Sequence, residues 1–200
     1  MNQQEFWNSK FSRDGYLYGL EANQFIKYCY DNFKKSQKVL CLGEGEGRNA
    51  IFLAKKGYEV EAIDASDVGL NKLYEQCQLE NLKVKTTCID INNWEPEKKY
   101  GAILFTFMHL KIEELKILLK KVENSLKDKG FFVVEVFSKN QIEKNSGGPK
   151  DLELLYSIDD FKDNIKELKI HKLEEVIVEL NEGTGHQGEA SVIRLIAQKI

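Results

Sequence analysis

The chain has 200 residues, a formal net charge of −3 and a pI near 5.8. That length bounds it to about one domain, residues 1–200, and the mild acidity leaves no broad basic field for a phosphate backbone, which argues against a nucleic-acid partner. No apolar run approaches the ~20 residues needed to cross a bilayer, so no membrane partner is expected.

The polar start, Met1–Trp7, lacks the apolar region of a secretory signal. Cys29, Cys41, Cys77 and Cys88 form no C-x-x-C pair, and no histidine stands at metal spacing from another. A cytoplasmic setting, reduced thiols and no metal are therefore expected. Cys41 and Cys88 lie in predicted strands and read as buried.

Residues 1–36 read as an N-terminal lid and helix region ahead of a core at 37–200, with a helix over 20–35 whose apolar positions are Phe25, Ile26, Tyr28, Cys29 and Phe33. The run Val39–Leu42 predicts a buried strand. A glycine turn follows, then a helix over 47–56 with Gly57 as its C-cap, then a strand over 58–63 that ends at Asp64. The pattern continues as helix 67–78, strands 83–89 and 101–107, and helix 111–127. Leu115, Leu118, Leu119, Val122 and Leu126 stripe that helix, and Gly130 lies past its end. Strand 131–137 follows, bordered by the polar loop 138–150. Such alternation predicts a mostly parallel sheet covered by helices on both faces. The tail departs from it: a helix over 158–168, then strands 172–180 and 190–198 joined by the polar loop 181–189, which reads as an antiparallel hairpin.

The most informative stretch is the glycine turn, Gly43-Glu44-Gly45-Glu46-Gly47-Arg48-Asn49-Ala50. Glycine permits positive φ and removes the Cβ, so the backbone can approach a nucleotide-type ligand closely. Asp64, about 20 residues beyond the turn and at the end of the next strand, is placed to accept hydrogen bonds from ribose hydroxyls. Gly45-x-Gly47-x-x-Ala50 fits the dinucleotide fingerprint. Gly43-x-Gly45-x-Gly47 instead resembles the S-adenosylmethionine (SAM) loop of class I methyltransferases. Gly43 follows the strand directly, the chain is short for a dehydrogenase, and a dinucleotide fold would end in another parallel unit rather than a hairpin. These features favour SAM.

The resemblance to class I SAM-dependent methyltransferases covers nearly the whole chain. It implies a Rossmann-like three-layer α/β sandwich: a mostly parallel seven-stranded sheet with a C-terminal antiparallel β-hairpin. Within that class the chain resembles small tellurite-resistance-type and thiopurine-methyltransferase-like proteins. The matching residues are Phe6-Trp7, Tyr16–Gly19, Asn23, the loop Gly43–Ala50, His109-Leu110, Gly147–Lys150, Leu180–Gly183 and His186–Gly188. The activity implied is methyl transfer from SAM, leaving S-adenosylhomocysteine (SAH), to a small-molecule acceptor, a thiol or chalcogen oxyanion among the candidates. The protein would be a monomer or homodimer. A non-catalytic SAM-binding module and a short NAD-dependent oxidoreductase stand as alternatives. With only Pro96 and Pro149, the chain cannot carry the Asn/Asp-Pro-Pro-Tyr motif of base-amino methyltransferases.

The resemblance assigns cofactor contacts to Gly43, Glu44, Gly45, Gly47, Asn49, Asp64, Ala65, Asp90, Ile91 and Phe105, with Tyr18 from the N-terminal region. Cys41 stands where many class I enzymes carry an acid; Glu44 and Glu46 are the nearby acids. Trp7, Tyr16 and Tyr18 are candidates for an aromatic lid. His109 reads as a general base or as a helix-start histidine. His186, beside Glu182, reads as a substrate contact or a structural hydrogen bond. His171 is expected to be inert, and Lys150 is either an anion contact or a solvated surface lysine.

Overall fold

The computed structural model describes residues 2–35 and 37–200. Seven strands form one sheet: β1 (Val39–Leu42), β2 (Val60–Asp64), β3 (Val84–Cys88), β4 (Tyr100–Thr106), β5 (Leu126–Phe137), β6 (Leu168–Glu182) and β7 (His186–Lys199). Their order is β3-β2-β1-β4-β5-β7-β6. The first five pair in parallel, while β7 runs antiparallel between β5 and β6. This is the expected sandwich with its terminal hairpin. Strand order reverses at β1, whose neighbours are β2 and β4, so a crevice opens at the carboxyl ends of those strands.

The two faces of β1 explain the layers. Leu40 and Leu42 join one core with Phe105, Phe132 and the α5 (Ile112–Ser125) stripe of Leu115, Leu118, Leu119 and Val122. Val39 and Cys41 join the other, with Leu53 of α3 (Arg48–Lys55) and Leu70, Leu73 and Cys77 of α4 (Asp67–Leu79). Each fully buried Leu or Val contributes about 1.5–3 kcal/mol relative to exposure. β1 and β4 are covered on both sides and read as apolar runs, while β2, also covered, carries the buried Glu61, whose carboxylate accepts from Lys98 and Tyr100. β3 is an edge, which leaves Cys88 at its tip exposed, contrary to the sequence expectation, while Cys29, Cys41 and Cys77 are buried.

Several elements differ from their predicted extents. Residues 3–11 form a helix, α1 (Gln3–Phe11), that apolar periodicity does not reveal; an Asn2–Glu5 capping box starts it. The helix expected over 20–35 is α2 (Gln24–Cys29) plus a 3-10 turn, ended where Asn32 Nδ2 donates to the Cys29 carbonyl. The helix expected over 158–168 is α6 (Ile158–Lys162). The buried Glu123 carboxylate accepts the N–H groups of Lys166 and Glu167, turning the chain toward β6. The polar loop 181–189 is mostly ladder: Glu182 pairs with His186 across the short turn Gly183–Gly185. Strand β5 starts before Gly130, directly after α5. Among the described residues no helix is long and apolar enough to cross a membrane.

Candidate functional site

A cavity of about 860 Å³ lies over the carboxyl ends of the parallel strands. Its floor is the glycine bend. Gly43, Gly45 and Gly47 all have positive φ, at 60°, 58° and 94°. The room their missing Cβ atoms leave is shared with neighbours: a Cβ would stand 2.7 Å from Met108 Sδ at Gly43, 2.9 Å from the Phe11 ring at Gly45 and 2.3 Å from Leu73 Cδ1 at Gly47. Gly43 and Gly45 border the cavity; Gly47 packs against α4 away from it.

Asp64 holds the bend. Its Oδ2 accepts the Gly45 N–H at 2.8 Å and its Oδ1 the Ser66 N–H at 2.7 Å, and the carboxylate borders the cavity. Burial pushes its pKa up against the pull of those donors. Glu44 borders the cavity too and gives α3 the cap that Gly47 cannot, accepting the Ala50 N–H at 2.7 Å. Glu46 turns away from the cavity and stays buried, taking the Leu17 N–H at 2.7 Å and Lys72 Nζ at 2.8 Å. Of the two acids of the loop, Glu44 thus borders the cavity and Glu46 does not.

Burial raises the Glu44 carboxyl from its ordinary 4.5 to about 7. The folded state then holds the proton more tightly than the unfolded chain, so stability falls as pH rises through that interval. Glu44→Gln is expected to match the wild type in denaturant unfolding at low pH and to exceed it above neutrality, on the order of 1–3 kcal/mol.

The other expected contacts are distributed unevenly. Ala65, Asp90 and Ile91 border the cavity at the ends of β2 and β3, where Asp90 Oδ1 accepts the Asn92 N–H at 2.9 Å. Asn49 borders it too, bridging the Asn23 N–H at 2.9 Å and Thr106 Oγ1 at 3.1 Å. The Phe105 side chain does not reach it: strand alternation turns the ring into the core, against Tyr156. Thr106, Phe107 and Met108 take its place. Of the aromatic trio, Trp7 and Tyr18 line the cavity, whereas Tyr16 points to Gln76 on α4. Lys150 Nζ is tied to the carbonyls of Ile142 and Lys144.

The structure brings both candidate histidines to one end of the cavity. His109 Nδ1 lies 3.3 Å from the Leu154 carbonyl and its ring stacks on Phe137. Burial drives its pKa down to about 4, so it is neutral at neutral pH. His186 is buried between Tyr18, Phe107 and Phe137, with Nδ1 3.0 Å from Glu182 Oε2. Burial lowers its pKa as well, against the opposing pull of Glu182. His171 is remote, paired with Gln198.

Two residues of this end were given no role in the sequence reading. Arg48 is 8% exposed, and its Nη1 stands 2.9 Å from Glu182 Oε2 but out of line for a hydrogen bond. It occupies the first turn of α3, where the helix dipole disfavours a cation; that misplacement was the available signal. Glu182 is the other. Burial alone would raise its carboxyl, but His186 and Arg48 hold it below the usual range. Asn23 Nδ2 spans Glu182 at 3.2 Å and Glu135 at 2.6 Å, and Arg194 closes on Glu135, so the buried network runs on into β5 and β7.

The sequence model of the family described as tellurite resistance protein TehB matches residues 23–197. A protein of Haemophilus influenzae named probable S-adenosyl-L-methionine-dependent methyltransferase TehB is 32% identical over 99 residues, 48% of this chain and 35% of the relative. The match thus spans about a third of that relative's length. The crystal structure of TehB from Haemophilus influenzae superposes with a TM-score of 0.75 at 21% identity, covering 100% of this chain and 68% of that one. The N-methyltransferase NodS from Bradyrhizobium japonicum, solved with SAH, superposes at 0.74 with 11% identity, covering 100% and 99%. Strand order, terminal hairpin and glycine bend agree with these findings: the chain has the class I methyltransferase fold and belongs to the TehB family.

Proposed function

We propose that the protein transfers a methyl group from SAM to a small-molecule acceptor. The observation that carries this reading is the cavity of about 860 Å³ set between the glycine bend, Asp64 and two buried histidines. Its size falls within the range of roughly 300–1,000 Å³ typical of ligand pockets. The wall suits the cofactor chemically. Asp64 would receive the ribose, with Ala65, Asp90 and Ile91 beside the adenine, while Gly43, Gly45 and Asn49 border the methionine end. SAM supplies an electrophilic methyl group on a sulfonium cation. The faces of Trp7, Phe11 and Tyr18 suit such a cation, and Arg48 offers a buried cation to an anionic group.

The chain's own part is to position the reactants and exclude water. His109 and His186 both face the acceptor end, and one of them serves as base when the acceptor carries a proton. A thiolate or chalcogen oxyanion would need no base, being already nucleophilic. Residues 2–18, α1 and the segment after it, act as the cover. Asn8 links α1 to the start of α4: its Nδ2 donates to Asp67 Oδ1 at 2.7 Å and its Oδ1 accepts from Ser66 Oγ at 2.7 Å. Asn8→Ala is expected to weaken SAH binding by about 3–10-fold in calorimetry while lowering the unfolding midpoint only slightly, since Asn8 is half-buried and Asp67 exposed.

The test of the function is incubation with methyl-labelled SAM and a panel of thiols, amines, hydroxyl compounds and selenite. Labelled product with stoichiometric SAH supports it. A folded protein that gives no calorimetric signal with SAM defeats it.

A further inference from the structure

Only one of the two histidines has a carboxylate behind it. Glu182 and His186 are register partners at the hairpin tip, which sets His186 Nδ1 3.0 Å from Glu182 Oε2. A carboxylate only accepts, so Nδ1 carries the proton and Nε2 keeps a lone pair. Among the described residues Nε2 has no hydrogen-bond partner, and the ring borders the cavity. Ring centroids of Tyr18, Phe107 and Phe137 stand 4.4, 4.6 and 5.2 Å from that of His186. Gly147 leaves room for it: a Cβ there would stand 2.5 Å from His186 Cδ2. Glu182 is itself fixed by Arg48 and by Asn23. His109 has only the Leu154 carbonyl behind it, which offers an imidazolium far less than a full negative charge.

We propose that Glu182 is a positioning residue that holds His186 with Nε2 toward the acceptor, making His186, rather than His109, the base for any acceptor that carries a proton. This rests on the methyltransferase reading above. In the step, the acceptor's electron pair forms a bond to the methyl carbon as the carbon–sulfur bond breaks, and that bond's pair stays on sulfur. The acceptor's proton passes to Nε2, giving an imidazolium beside the Glu182 carboxylate; water then removes it.

The first test is ¹⁵N NMR of the histidine-labelled protein, with and without SAH. His186 is expected as the neutral Nδ1–H tautomer around neutral pH, and Glu182→Gln should lose that single tautomer. An Nε2–H tautomer, or a mixture, in the wild type overturns the proposal even if the variant fails to fold. The second test uses two thiol probes at about pH 7.5, benzenethiol, largely ionised there, and 2-mercaptoethanol, largely protonated. Glu182→Gln should lower kcat for 2-mercaptoethanol on the order of 100-fold and for benzenethiol less than about threefold, with Glu182→Asp intermediate. Equal losses with both thiols overturn it. Absence of SAH binding or of all turnover in the wild type counts against the methyltransferase reading, while the tautomer still decides the role of Glu182.

Discussion

Asp64→Ala is expected to weaken SAH binding by about 100-fold or more and to lower the unfolding free energy by about 2–4 kcal/mol. Both effects follow from one carboxylate. In the protein alone it takes the Gly45 and Ser66 N–H groups at 2.8 and 2.7 Å, so it fixes the bend and the entry to α4 together. Hydrogen bonds to a charged partner contribute about 1.5–3 kcal/mol each, and the donors left behind are buried. In the complex the same oxygens would meet the ribose, so losing them removes contacts and loosens the floor. Asp64→Asn should fall between, because its Nδ2 cannot accept either N–H. Calorimetry with SAH and denaturant unfolding separate the two losses. Wild-type affinity in a correctly folded Asp64→Ala protein would refute the assignment.

Arg194→Met carries the largest expected loss of stability, about 3–5 kcal/mol near neutral pH. Glu135 is 1% exposed, and Arg194 Nε lies 2.5 Å from its Oε2, with the guanidinium over the Phe25 ring. Removing the cation leaves a buried carboxylate with only Asn23 as a side-chain donor. Burial already raises the Glu135 pKa in the intact protein. A folded-state pKa above the unfolded one means that the proton favours the fold, so the deficit should shrink as pH falls. Adding Glu135→Gln should recover much of the loss, since it removes the stranded charge and keeps an acceptor for Asn23. Unfolding curves at pH values on both sides of neutrality check the sign; a deficit that grows on acidification would contradict it.

The fold was legible because its signals are local and repeated. Apolar runs such as Val39–Leu42 mark strands covered on both faces, and the Leu115–Val122 stripe marks a helix with one covered face. The tail read correctly as antiparallel because two strand patterns meet at a glycine-rich turn. Local pattern failed where a tertiary contact decides. Helix α1 has little amphipathic pattern and is held by Asn8 and the ring of Phe11, which lies over Gly45. The loop 181–189 looked too polar for a strand, yet its polar residues continue the ladder, and two of them, Glu182 and His186, turn inward as an ion-pair partner and an imidazole. Phe105 was misplaced because strand alternation sends every second side chain away from the crevice, and a single position error reverses the assignment. The pairing of Arg48 with Glu182 was not legible because it joins residues 134 positions apart (182 − 48).

The most direct measurement is a crystal structure of the protein with SAH. The account predicts ribose hydroxyls within hydrogen-bonding distance of the Asp64 carboxylate, the adenine against Ile91, and the sulfur facing the end of the cavity that holds His186. SAH bound elsewhere, or a ribose that does not touch Asp64, would contradict it.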